Sequence, residues 1–138
     1  FAGLKYVTDN TGLAIMADES LFSPADALRL LQMRAVDLLN IKLMKCGGIH
    51  QALRICTLAE IYGVRCMLGC MLESRLSVNA AAHLAAGKQV IEYVDLDGPG
   101  LSLSDPVDGG AEFAGPRITL TDRPGMGVLG VRGLRYLD

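Results

Sequence analysis

The stretch VDLLNIKLMKCGGIHQALRICTLAEIYGVRCMLGC, residues 36–70, sets two apolar runs on either side of a helical stripe. The runs VDLLNIKLM (36–44) and VRCMLGC (64–70) are apolar on both faces rather than alternating, as in strands covered on both sides. Between them Ile49, Leu53, Ile55, Cys56, Leu58, Ala59 and Ile61 recur at helical spacing, and Gly63 closes the stripe. Strand, helix and strand in that order predict a parallel pair joined by a crossover helix.

Working outward, the unit repeats. On the N-terminal side LAIMAD (13–18) is a short apolar run ending on a carboxylate. Ser23 and Pro24 then make a helix start for ADALRLLQMR, with serine as N-cap and proline at the first helical position. On the C-terminal side SRLSVNAAAHLAAG (74–87) reads as a helix and VIEYVDLDG (90–98) as a fourth strand. The strands recur about every 25 residues, and alternating apolar strands and amphipathic helices imply a parallel sheet covered by helices. Two architectures fit, an open doubly wound sheet and a (β/α)8 barrel. No G-x-G-x-x-G or Walker-type turn follows the first strand, which counts against a nucleotide-binding open sheet.

The polar residues favour the barrel. Asp18 and Glu19 close the first strand, Lys42 and Lys45 the second, Glu73 lies just past the third, and Asp95 and Asp97 close the fourth. In a barrel those strand ends meet at one mouth, where active sites of this fold are built. Asn40, Lys42 and Met44 are expected on one strand face, and Asp95 and Asp97 share a face of theirs. A lysine in an apolar strand needs a partner or a reaction, because an unpaired buried ammonium is costly. Lys42 is therefore expected either in a structural ion pair with Asp18 or Asp95, or as a reactive amine facing carboxylates across the mouth. Four such units make about half of a barrel that usually needs around 250 residues. The expectation is the C-terminal half of a barrel (1–98), belonging to a longer enzyme, followed by a tail (99–138) with short β-like pieces such as RITLT.

Composition excludes several classes. The 138 residues carry 13 Lys plus Arg against 15 Asp plus Glu, without charge runs, so a nucleic-acid or membrane-surface partner gains no electrostatic support. The apolar stretches fall short of the roughly 20 residues that span a bilayer, and FAGLKYVTDN lacks the features of a signal peptide; a soluble, cytoplasmic protein is expected. Cys46, Cys56, Cys66 and Cys70 form no C-x-x-C pair and read as reduced, buried thiols rather than zinc ligands. His83 reads as a satisfied histidine on an alanine-rich helix. Gly47-Gly48 reads as a tight turn in preference to a phosphate cradle.

IMADES, NIKLMKCGGI, MLGCMLESRLSVNAAAHLAA and YVDLDGP, in this order and covering about Gly3 to Gly127, together resemble the C-terminal half of the enolase superfamily. Within it they are most similar to the muconate-lactonizing subgroup and its dipeptide epimerases, whose last barrel strand carries Asp-x-Asp. The resemblance implies a Mg2+-dependent epimerase acting on a small dipeptide, with 1,1-proton transfer at the α-carbon through an ene-diolate. It implies Asp18 as one of three carboxylate ligands of Mg2+, Lys42 as general base, and Asp95 and Asp97 as holders of the substrate α-ammonium. Glu19 and Lys45 would support these from behind, and Glu73 would form part of the pocket wall. The family's second acid/base and its other two metal ligands have no counterpart here. Lys5, the lysine before the first strand, lacks the family's Lys-x-Lys context. The chain alone is thus expected to be inactive and to need its capping domain, against which the tail would pack.

Related racemase, succinylbenzoate synthase and cycloisomerase chemistries remain alternatives, as do a Schiff-base aldolase using Lys42 and a non-catalytic, self-associating half barrel. A homo-oligomer is expected.

Overall fold

The computed structural model describes residues 1–135. Helix α1 (Ala2–Asn10) leads into a four-stranded parallel sheet, β1 (Met16–Ala17), β2 (Leu38–Lys42), β3 (Arg65–Gly69) and β4 (Ile91–Asp95), in the order β1-β2-β3-β4. Helices α2 (Pro24–Met33), α4 (Ile49–Tyr62) and α5 (Arg75–Gly87) alternate with the strands, and a single helical turn, α3 (Leu43–Cys46), follows β2. A 3-10 turn (Gly98–Leu101) leads into the tail. Two antiparallel pairs there join β5 (Val107–Gly109) to β8 (Val128–Val131) and β6 (Glu112–Ala114) to β7 (Arg117–Thr119). This is the expected α/β arrangement, four strand-helix units of a barrel with a β-containing tail. Among the described residues no helix is long and apolar enough to cross a membrane.

The parallel register sorts the side chains. Met16 pairs with Leu38, Lys42 with Gly69, and Gly69 with Asp95, so Met16, Leu38, Asn40, Lys42, Met67, Gly69, Tyr93 and Asp95 share one face of the sheet. The opposite face carries Ala17, Leu39, Ile41, Cys66 and Leu68, all fully buried. Against them pack Ala27, Leu30 and Leu31 of α2, Ala52, Ile55 and Ala59 of α4, and Val78 and Ala82 of α5. This apolar layer is the main core, and burial of its side chains is the dominant favourable contribution to folding.

Local signals act as the sequence suggests at α2, where the Ser23 hydroxyl accepts from the Asp26 N–H at 3.2 Å and Pro24 occupies the first helical turn. Elsewhere the structure corrects the reading. The second strand stops at Lys42 rather than Met44. Leu43–Cys46 coils into α3, whose end is fixed by Gly47 at φ 92°, with the Gly47 and Gly48 amides both donating to the Leu43 carbonyl. Met44 therefore leaves the face shared by Asn40 and Lys42 and stands in solvent.

The first strand is two residues long instead of six. It has a partner on one side only, and Leu13 is exposed. In α4 the buried stripe is Ala52, Ile55, Cys56 and Ala59, narrower than expected, with Ile49, Leu53 and Ile61 exposed. The fourth strand is covered on both faces only at Ile91, because β4 is an edge strand. His83 is not satisfied: its Nε2 is buried with no hydrogen-bond partner among the described residues.

The tail is clasped to α5 by two polar side chains. Arg75 donates to the Val107 carbonyl and pairs with Asp105 at 2.5 Å. Asn79, 0% exposed, donates from Nδ2 to the Met126 carbonyl at 2.9 Å and accepts from the Ala111 amide at 2.9 Å. Gly110 is obligatory beside it, since a Cβ there would lie 2.4 Å from Asn79 Nδ2 and its φ is +82°. Asn79→Ala removes both bonds and leaves two tail groups unpaired, so it is expected to cost about 2–3 kcal/mol in urea unfolding. Loss of hydrogen-exchange protection at the Ala111 amide would accompany it.

Candidate functional site

At the C-terminal ends of β1 and β2, two lysines converge on one carboxylate. Lys42 Nζ lies 3.0 Å from Asp18 Oδ2, and Lys45 Nζ lies 2.6 Å from Asp18 Oδ1. Lys45 also donates to the Asp18 carbonyl at 2.8 Å and to Glu19 Oε1 at 3.3 Å, with its ammonium 5.4 Å from the centre of the Phe22 ring. Its side chain is 6% exposed. Glu19 reaches Lys42 more loosely, at 3.9 Å. The α3 turn creates this convergence. Lys42 leaves the last strand position, and Lys45, three residues on along a helical turn, points back to the same spot.

Both lysines are thus partnered. Partial burial pushes the Asp18 carboxyl up, and the hydrogen bonds and charges of Lys45 and Lys42 more than offset it, leaving the group below the usual carboxylate range. Asp18 is an ionised, partly exposed oxygen donor of the hard type that Mg2+ prefers, and so suits one position in its shell. Among the described residues no group of three potential ligands surrounds a common point.

A second acidic group stands two strands away. Lys42 pairs with Gly69 and Gly69 with Asp95, which puts about 10 Å, two strand spacings, between the Lys42 and Asp95 backbones. Because the residue between them is glycine, no side chain divides that gap. Asp97 precedes the 3-10 turn without a side-chain bond to it and is exposed like Asp95. The Gly98 amide donates to Cys70 Sγ at 3.4 Å, and Asp97 Oδ1 lies 4.0 Å from the same sulfur. Burial pushes the Cys70 thiol up, with the Asp97, Glu73 and Asp95 charges adding to it.

Glu73 is engaged locally. It accepts from the Met71 amide at 2.8 Å and from the Ser77 hydroxyl, closing the loop at the start of α5, where Ser74 makes no side-chain cap. Lys5, on α1, is paired with Asp9 one helical turn away.

Of this face, Gly69 escaped the reading from sequence, and Asn40 was placed beside Lys42 as expected but given no part in the site. The available signals were a lone amide two positions before Lys42 and a glycine inside an apolar strand, which marks a close approach.

The enolase C-terminal domain-like family model matches residues 1–129. The chain belongs to this family. It is 60% identical over 129 residues to the L-Ala-D/L-Glu epimerase of Clostridium acetobutylicum, covering 94% of this chain and 36% of that protein. Among solved structures, a substrate-liganded complex of the L-Ala-D/L-Glu epimerase from Bacillus subtilis superposes with a TM-score of 0.92 at 48% identity, covering 94% of this chain and 36% of that one. The dipeptide epimerase of Enterococcus faecalis V583, complexed with Mg and the dipeptide L-Leu-L-Tyr, does so at 0.89 and 47%, covering 92% and 36%. The family member described here spans about a third of the length of these relatives.

The ion-pair cluster carries its own test. A carboxyl with a depressed folded-state pKa contributes stability that is present above the ordinary aspartate value, about 4, and lost as pH falls through the depressed one. Asp18→Asn takes the nearest carboxylate from both Lys42 and Lys45. Discounted for solvent access, it is expected to cost about 1–2 kcal/mol at pH 7 without metal. The difference from wild type in urea unfolding should shrink as pH falls below the ordinary aspartate value and Asp18 takes up its proton.

Proposed function

We propose that this chain forms the C-terminal half of the barrel of a Mg2+-dependent dipeptide epimerase. The observation that carries the reading is a lysine-carboxylate cluster, Asp18 with Lys42 and Lys45, facing Asp95 across Gly69 on one sheet face, with Asp97 two residues on, past the end of β4 rather than on the strand face expected for it. The dipeptide complex of the Enterococcus relative supports it.

In this reading Asp18 holds Mg2+ together with two ligands from outside the chain. Once bound, the ion stabilises negative charge that builds on the substrate carboxylate. Lys42, neutral and freed from the Asp18 carboxylate, takes the α-proton of the C-terminal residue of the dipeptide on one face. A second acid/base, also from outside the chain, returns a proton on the other. Asp95 and Asp97 pair with the free α-ammonium group of the substrate and fix its N-terminal end about two strands from the base. Lys45 keeps contacts that the metal does not claim, the Asp18 carbonyl and Glu19, and so holds the β1 end in place. Glu73 shapes the pocket wall through the loop it closes. The tail, residues 99–138, would meet a capping domain on the side away from α5.

The test is α-proton exchange in D2O with Mg2+, followed by NMR on a panel of L,L-dipeptides. It compares this chain with the longest polypeptide that carries its sequence. Exchange by the longer polypeptide and none by the 138-residue chain is expected, and Lys42→Ala should lower the rate by about 10²–10⁴. No exchange by either would overturn the reading. Asp95→Asn is expected mainly to raise KM, since it weakens a contact present before and during proton transfer. Isothermal titration of the chain alone with Mg2+ should show no binding in the micromolar range.

A further inference from the structure

Asn40 stands two residues before Lys42 on the same face of β2 and is 2% exposed. Its Oδ1 is buried with no hydrogen-bond partner among the described residues. Buried side-chain amides are almost always satisfied, so an orphan oxygen directly below a candidate base calls for a donor. Asp18 follows Ala17, whose partner on β2 is Leu39, the residue before Asn40. Lys42 Nζ reaches across to Asp18 Oδ2 at 3.0 Å, so its ammonium lies toward the β1 side of the same face.

Gly69 joins the two. A Cβ on Gly69 would lie 2.7 Å from Asn40 Oδ1, 3.3 Å from Asn40 Nδ2 and 3.2 Å from Lys42 Cε. The amide and the end of the lysine therefore crowd one small volume on the face of β3, left open because residue 69 has no side chain.

We infer that Asn40 is a positioning residue for the base: its Oδ1 accepts one N–H of Lys42 when the Asp18 carboxylate is committed elsewhere. The inference rests on the epimerase reading above. A neutral lysine amine has two N–H donors and one lone pair. Holding one N–H at Oδ1 restricts rotation about Cε–Nζ and turns the lone pair outward, to the substrate. In the transfer the α C–H bond breaks and its electron pair stays with the substrate. The proton joins the Lys42 lone pair, and the bond to Oδ1 becomes charge-assisted as the ammonium forms. The contact is then stronger in the transition state than in the ground state, which affects kcat rather than KM.

The experiment measures α-deuterium exchange from each of the two epimers separately, in the longest polypeptide that carries this sequence, with melting temperature recorded for each variant. Lys42 serves one face only, so a positioning loss is one-sided. Asn40→Ala is expected to slow exchange from the epimer whose proton faces Lys42 by about ten- to a hundredfold. KM and exchange from the other epimer should stay within about threefold. Gly69→Ala, which keeps the amide but crowds Oδ1 and Cε, should give the same one-sided loss. Equal slowing from both epimers, or none in a folded variant, overturns the inference. A wild-type protein that exchanges neither epimer overturns the epimerase reading and this inference with it. An active wild type with an unchanged Asn40→Ala overturns this inference alone.

Discussion

One carboxylate shared by two lysines is the constraint around which this sheet face is arranged. Asp18 alone could not stabilise two nearby ammonium groups inside a core; at the mouth of a parallel sheet, partly wet, it can. The arrangement needs β1 and β2 adjacent and parallel, with their ends in step. It also needs the chain to turn sharply after Lys42 so that Lys45 comes back to the same carboxylate. The apolar layer on the opposite face then holds the strands in the register that keeps the cluster together.

The same cluster constrains the chemistry. A lysine bound to a carboxylate is a poor base, and a carboxylate bound to two ammonium groups is a crowded metal ligand. Each becomes useful only when the other is released. In the proposed reading, a divalent cation held by the Asp18 oxygens would take from Lys42 its nearest carboxylate partner. Lys45 differs from Lys42 in its contacts: it also holds the Asp18 backbone carbonyl and Glu19, so in the proposed reading it is the lysine that keeps its partners.

Much of this was legible in the sequence, and the exceptions have physical causes. Alternating apolar runs and stripes give the parallel order of strands, and polar strand ends give the mouth. The coil of Leu43–Cys46 was hidden because LMKC is as apolar as the strand before it, and only Gly47 in a left-handed conformation shows where the backbone changes direction. Exposure of Glu92 to Asp95 follows from the edge position of β4, which no local pattern reveals. Glu73 resembled a pocket residue, yet its carboxylate is engaged by Met71 and Ser77 next to it. A single sequence shows which residues are polar but not which polar groups already have partners. The roles of Asn40 and Gly69 are of this kind, since they depend on a distance between neighbouring strands.

In the four-stranded sheet, β1 and β4 each have a neighbour on one side only. Their outer edges carry unused backbone donors and acceptors pointing in opposite directions, which is a template for further strands. The core, by contrast, is complete within the unit, with α2, α4 and α5 already covering the outward face. Each open edge is therefore a place where a further strand can join through backbone hydrogen bonds, whichever molecule supplies it.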